Sequence, residues 1–238
     1  MKTAESSQLL NDASNYDESA YKKPSVTVDI AICTVNEEKV WVLLLKRENP
    51  PFKGHYAIPG GFVDVESSEN LKQTAERELR EETGIEDVYL EQLKTYGHPD
   101  RDPRMRIITV AYFALVPYGK LKGKTFQGED YEGDTAWFPL DKLPGKMAFD
   151  HRKILQDLRE RLRGKVSYTP IAFSLLPKEF TWSELQSVYE ILLSRNLISP
   201  PFRRKIHSMY KIKRLNRKKK NTTGRPSELL VYDGMKSF

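Results

Sequence analysis

The chain has 238 residues, 39% of them hydrophobic and 30% charged, and a formal net charge of +6, a globular composition with length for one large or two small domains around a buried core. Its one cysteine, Cys33, excludes an intrachain disulfide and reads as a small buried apolar residue. No apolar run reaches the roughly 18 residues of a membrane span or the pattern of a signal peptide, so a cytoplasmic protein is expected.

Residues 1–22 are polar and rich in Ser, Asn and Asp, the composition of a loosely held arm. "SVTVDIAICTV" (Ser25–Val35) and "KVWVLLLKR" (Lys39–Arg47) follow, β-branched and apolar, joined by "NEE"; they read as a hairpin. "YAIPGGFVDV" carries a Pro-Gly-Gly break, and a helix is predicted from about Asn70 to Thr83, stopped by Gly84. "VYLEQLKTYG" and "RIITVAYFALVP" are two further strand candidates, separated by the charged loop "HPDRDPRM". After a polar stretch from Gly119 to Asp134 come a short strand, "TAWFPL", and a helix with Ile154, Leu155, Leu158 and Leu162 at helical spacing and Asp150 as N-cap. Strands on both sides of a central helix make the first ~160 residues a mixed α/β unit.

From about residue 165 the pattern changes. Thr181 with Glu184 three residues on is a capping-box signature, followed by an apolar stripe of Leu185, Val188, Tyr189 and Leu192. "SPPFRRKIHSMY" reads as a second helix with proline in its first turn. "KIKRL", the turn-rich "NRKKKNTTGRPS" and "ELLVYD" read as a hairpin with a basic tip. The charge follows this division: residues 201–226 hold eleven Lys or Arg and no Asp or Glu, so the rest of the chain nets −5. A mildly acidic body with a strongly basic end points to a polyanion partner for that end, nucleic acid first.

The central helix crowds carboxylates. At about 100° per residue, Glu78 and Glu82 lie about 40° apart and Glu81 about 60° to the other side, all within roughly 100° of one face. Like charges at these spacings destabilise a helix by a few tenths of a kcal/mol per pair, so a purely solvated face needs cations, and the i,i+4 pairs Arg77–Glu81 and Glu76–Arg80 are the sequence's own candidates. The glycine bend upstream favours the other reading. Glycines let backbone approach a ligand, and adjacent carboxylates become favourable around a hard cation such as Mg²⁺, which is shared with phosphate.

Residues 60–85, "GGFVDVESSENLKQTAERELREETGI", resemble the Nudix hydrolase signature: a glycine, a glutamate, then Arg-Glu-aliphatic-x-Glu-Glu-x-Gly-aliphatic. Arg77 to Ile85 matches throughout, and Glu69 stands at the family's distance before Arg77. Two more residues than the pattern has intervene between Gly61 and Glu69, while Glu66 has the pattern's distance from Gly60, so either glutamate fills that place. The resemblance implies an α/β (α+β) fold, a Nudix mixed-sheet α/β/α sandwich, and metal-dependent cleavage of a nucleoside diphosphate derivative. It implies Mg²⁺ (or Mn²⁺) held by Glu78, Glu81 and Glu82 with the Gly60 carbonyl, Arg77 orienting them, and a base from a distant loop, for which Glu129 and Asp130 are preferred over Asp134. "HPDRDPRMRIITVAYFAL" and "YKKPSVTVDIAI" resemble the ADP-ribose-hydrolysing branch. Arg47, Arg101 and Arg104 are the candidate partners of the substrate's phosphates.

"TPIAFSLLPKEFTWSELQSVYE" and "GRPSELLVYD" are similar to the C-terminal domain of Nudix-related transcriptional regulators, which join a Nudix domain to a winged helix. The expected organisation is an arm over 1–22, a Nudix domain over 23–164 and a winged helix-turn-helix domain over 165–238. In the winged-helix geometry Arg203, Arg204 and Lys205 open the recognition helix, and Lys218, Lys219, Lys220 and Arg225 sit on the wing, against double-stranded DNA. The resemblance also implies a homodimer.

Overall fold

A computed structural model describes residues 17–121, 135–219 and 227–236. The long hairpin forms as expected, β1 (Ser25–Asn36) antiparallel to β2 (Lys39–Lys46), turned by Glu37 and Glu38 with positive φ of 45° and 58°. β3 (Tyr56–Ala57) pairs antiparallel with the end of β2, and β4 (Gly60–Phe62) lies antiparallel to the first half of β1. α1 (Leu71–Thr83) follows, then β5 (Tyr89–Tyr96), β6 (Ile107–Leu115) and β7 (Thr135–Pro139). β6 runs parallel to β1 over Ser25–Cys33, while β5–β6 and β2–β7 are antiparallel, which makes a mixed seven-stranded sheet.

Alternation along β1 divides the core. Val28, Ile30 and Ile32 face α1 with its buried Ala75 and Leu79. Ala31 and Cys33 face the other way, toward α2 (His151–Lys165) with Ile154, Leu155, Leu158 and Leu162. Cys33 is fully buried, and burial pushes its thiol far above the usual range; it packs as the small apolar residue expected.

The second core does not stop at α2. It continues through Val166, Ile171 and Leu175 into α3 (Trp182–Leu193) and α4 (Ser199–Met209), joining the C-terminal unit to the sheet in one apolar mass. α3 has the capping box expected: Thr181 Oγ1 accepts from Glu184 N–H at 3.2 Å, and Glu184 accepts from Thr181 N–H at 2.8 Å. β8 (Tyr210–Lys219) and β9 (Ser227–Met235) form the wing. Phe180 and Leu230 exchange backbone bonds of 3.0 and 2.8 Å, pinning the wing to the chain before α3. Asp150 departs from expectation. It occupies the N-cap position of α2, but its side chain makes no cap bond because Arg101 takes both of its oxygens.

Candidate functional site

α1 is fixed at both ends. Asn70 accepts from Lys72 and Gln73 N–H, Gln73 returns a bond to Asn70 N–H, and Gly84 closes the helix with φ 66°, in the left-handed region suited to glycine. This rigid element carries Glu78, Glu81 and Glu82 on adjoining positions. Arg77 threads them: its Nη1 donates to Glu78 at 2.9 Å and to Glu81 at 3.1 Å, and its Nε to Glu69 at 3.2 Å. Glu69, and not Glu66, is therefore the glutamate that meets Arg77; Glu66 is exposed in the loop. Hydrogen bonding to Glu69 first, then to Glu78, holds the Arg77 guanidinium well above its ordinary range. Of the two ion pairs expected along the helix, Arg77–Glu81 forms. Glu76 turns instead to Lys72 at 3.3 Å, and Arg80 to Glu86 at 3.8 Å. Glu82 is pushed above the usual carboxylate range by burial, and further by the charges of Glu78 and Glu81.

The glycine pair brings this helix against the sheet. A Cβ on Gly61 would lie 2.5 Å from Glu78 Oε1, and one on Gly60 would lie 2.4 Å from the Val28 carbonyl. Backbone atoms bar a side chain at Gly60, whereas at Gly61 one would displace the Glu78 carboxylate.

On the far side of Gly60–Gly61 is a cavity of about 150 Å³ lined by Asp29, Arg47, Arg101, Arg104 and His151. All three arginines singled out from sequence reach it, in different states. Arg101 is buried, with a bidentate pair to Asp150 at 2.7 and 3.0 Å and Asp29 at 3.5 Å. Arg104 is tied to Asp102 at 2.8 and 3.0 Å and is half-exposed. Arg47 donates to the Pro51 carbonyl at 2.9 Å and stacks on Phe149, 4.8 Å from the ring centre. Burial lowers its pKa, and the nearby Arg104 charge lowers it further. Two guanidiniums close enough to disfavour each other, beside Phe62 and Phe149, make a pocket suited to an anion.

Asp29 and His151 escaped the sequence reading. His151 Nδ1 accepts the Ile58 N–H at 3.1 Å, and Nε2 faces Asp29 at 3.8 Å. Burial lowers the imidazole pKa; Asp29 and Asp150 oppose this and Arg101 and Arg47 add to it. The available signal was Asp29 itself, a lone charge within the apolar run of β1.

The larger cavity, about 400 Å³, lies away from these residues, where α2 and α3 meet the β1–β2 turn.

Residues 23–158 match the NUDIX domain. The chain belongs to the Nudix family. Residues 172–231 match the NrtR DNA-binding winged helix domain. A protein of Acinetobacter baylyi named ADPR responsive transcriptional repressor NtrR is 42% identical over 192 residues, spanning 80% of this chain and 75% of that protein. An ADP-ribose pyrophosphatase of Methanocaldococcus jannaschii is 42% identical over 137 residues, 58% of this chain and 74% of that protein. The crystal structure of Shewanella oneidensis NrtR complexed with a 27mer DNA superposes with TM-score 0.74 at 34% identity, over 87% of this chain and 93% of that one.

Nudix hydrolases as a family use divalent metals. Among the described residues no three His, Cys, Asp or Glu side chains stand together as a ready metal cage; Glu78 and Glu81 share Arg77 Nη1. The donor chemistry nonetheless fits a hard cation: carboxylate oxygens on one helix face, a Glu82 raised by burial first and then by the charges of Glu78 and Glu81, and a glycine edge that a Cβ would fill. Glu129 and Asp130, the preferred base candidates, lie outside the described residues.

On the winged helix, Arg203, Arg204 and Lys205 are exposed on α4, with the Arg203 guanidinium 5.4 Å over the Trp182 ring. Lys218 and Lys219 are exposed on β8; Lys219 engages Glu184, and Arg217 engages Glu179. Lys220 and Arg225 lie outside the described residues. No helix among the described residues is long and apolar enough to cross a membrane.

Proposed function

We propose that this chain is a DNA-binding transcriptional regulator whose Nudix domain (23–164) takes ADP-ribose and hydrolyses its diphosphate to AMP and ribose 5-phosphate, while its winged helix (165–238) binds operator DNA as a homodimer. The observation that carries the reading is Gly61, which lines the arginine pocket on one side and meets the Glu78 carboxylate on the other. A diphosphate held there by Arg47 and Arg104 lies beside the acidic helix. The arginines supply charge-assisted bonds to phosphate oxygens, and the pocket's phenylalanines supply apolar surface for the remainder of the ligand. Glu78, Glu81 and Glu82 would hold Mg²⁺ or Mn²⁺ with the Gly60 carbonyl, and Arg77, itself held by Glu69, orients Glu78 and Glu81. A metal held there would supply neutralisation of phosphate charge and a lowered pKa for a water nucleophile, and Glu129 or Asp130 would serve as the base.

The supporting experiment incubates purified protein with ADP-ribose and Mg²⁺ and measures AMP. Release of AMP that is lost in Glu82→Gln is the expected result; no AMP from the wild type, with ADP-ribose bound, turns the reading to its alternative. In that alternative the Nudix domain senses ADP-ribose or a sugar nucleotide without turnover. The chain's 42% identity over 192 residues to an ADPR responsive transcriptional repressor favours it.

A further inference from the structure

One helix touches both the ligand pocket and the winged helix. The first residue of α2, His151, lines the arginine pocket, and Asp150 just before it holds Arg101 in that pocket. The other half of α2 places Leu158 and Leu162 in the same apolar core as Leu185 and Leu192 of α3. Along the axis, Leu158 and Leu162 stand about 10 and 16 Å beyond His151.

The joint at the head of α2 is held in an unfavourable form. Phe149 has φ 52°, a left-handed conformation that a bulky L side chain rarely adopts. It is kept there between Phe52, at 4.9 Å between ring centres, and Arg47. Asp150 has ψ 17° and caps nothing, whereas the working caps Asn70 and Thr181 have ψ 167° and 163°. An Asp at an N-cap position ordinarily gives its oxygen to the helix's free N–H groups. Asp150 therefore has two mutually exclusive partners, Arg101 and the start of α2, and reaching the second requires its ψ to rotate.

We propose that the Phe149–Asp150 joint relays occupancy of the pocket to the winged helix, with Asp150 as the switching residue. A diphosphate in the pocket competes for Arg101. Asp150, released, turns to cap α2, and Phe149 leaves the left-handed region. The helix then re-seats against α3. The 400 Å³ cavity stands at that contact, lined by Arg159 and Leu162 of α2 and Ser187 and Ile191 of α3. An unfilled contact gives way where a close-packed one resists. The proposal rests on ADP-ribose being the ligand of the pocket.

The test uses the full chain, without divalent metal so that no ligand is cleaved. The DNA probe is a duplex that the wild-type protein selects from a random-sequence pool. The DNA dissociation constant is measured without ADP-ribose and at saturating ADP-ribose; the ratio is the coupling, and saturation removes any change in ligand affinity from it. Wild type is expected to show a ratio of about 5–150. Asp150→Ala is expected to bring it within about twofold of unity while calorimetry still detects ADP-ribose binding. Ser187→Met, which occupies part of the cavity far from the pocket, is expected to lower the ratio with ADP-ribose affinity unchanged.

A wild-type ratio in folded Asp150→Ala overturns the relay. If that variant does not melt cooperatively, Ser187→Met decides, and a wild-type ratio there overturns it equally. Wild-type protein that binds no ADP-ribose sinks the functional reading, and the relay falls with it.

Discussion

Helices α1 and α2 cover opposite faces of one sheet, and their ends are treated in opposite ways. α1 is closed by a capping box at Asn70 and by Gly84 in the left-handed conformation. Its apolar side meets only the smaller core, and Glu78 on its charged side lies against Gly61. α2 has no side-chain cap, begins in the arginine pocket and ends in the core of the winged helix. Under the proposed function, the metal-holding carboxylates stand on the element capped at both ends. The proposed relay runs through the element whose start lacks a side-chain cap.

The largest expected effect tests the isolation of α1. Glu82→Gln removes one of the crowded carboxylates, so ADP-ribose hydrolysis with Mg²⁺ should fall about 10²-fold or more. DNA affinity measured by fluorescence anisotropy should stay within about twofold, because the substitution touches nothing in the core shared with the winged helix. Loss of both activities together would break the comparison. Next in size is the wing. Replacing Lys218, Lys219 and Lys220 by Ala should weaken DNA binding and flatten its dependence on salt, each lost phosphate contact removing about 0.9 from the log–log slope. Lys219 already engages Glu184, so the slope should drop by nearer two contacts than three. An unchanged slope would remove the wing from the DNA interface.

What the sequence revealed and what it hid follow the same division. The helix Asn70–Thr83, its glycine stop, the box at Thr181 and the five longer strands of the sheet were legible, because each is specified by local pattern: period, cap and turn. The three arginines were legible as candidates by charge alone. Asp29, His151 and the pairing of Arg101 with Asp150 were not, since they join strands and loops 49 or more positions apart. Asp150 shows the limit most directly. Local pattern marked it as a cap, and a long-range guanidinium overrode that pattern. The choice between Glu66 and Glu69 likewise needed the position of Arg77.

The pocket end of α2 should also be sensitive to acid. Burial lowers the His151 pKa from 6.5. Above that pH neither the folded nor the unfolded chain carries the proton, and the stability is fully present. Below it the unfolded chain takes up a proton that the folded chain refuses, so stability falls as pH drops, by at most about 1.4 kcal/mol per unit for one proton. The Ile58 N–H on Nδ1 reinforces the refusal, because protonation would displace that bond. Melting temperature from pH 8 to 5 should therefore decline below about 6.5 in the wild type. His151→Phe should flatten that decline while lowering stability throughout, since the Ile58 donor loses its acceptor. An equal slope in the variant would move the acid sensitivity to other groups.

The smallest effects sharpen the role of the caps. Asn70→Ala removes the oxygen that receives two N–H groups of α1 and should cost about 1 kcal/mol in denaturant unfolding. Thr181→Ala on α3 should cost a similar amount, about 1 kcal/mol. The two differ in what the cap also holds. Glu184 completes the box with Thr181 and at the same time engages Lys219 on the wing. Asn70→Ala should therefore leave DNA binding alone, whereas Thr181→Ala loosens Glu184 and alters the hold on a wing lysine. Matched losses of stability with a DNA effect in only one variant would show that a helix cap in the winged helix is also part of the DNA interface. An equal DNA effect in both would reduce each cap to stability alone.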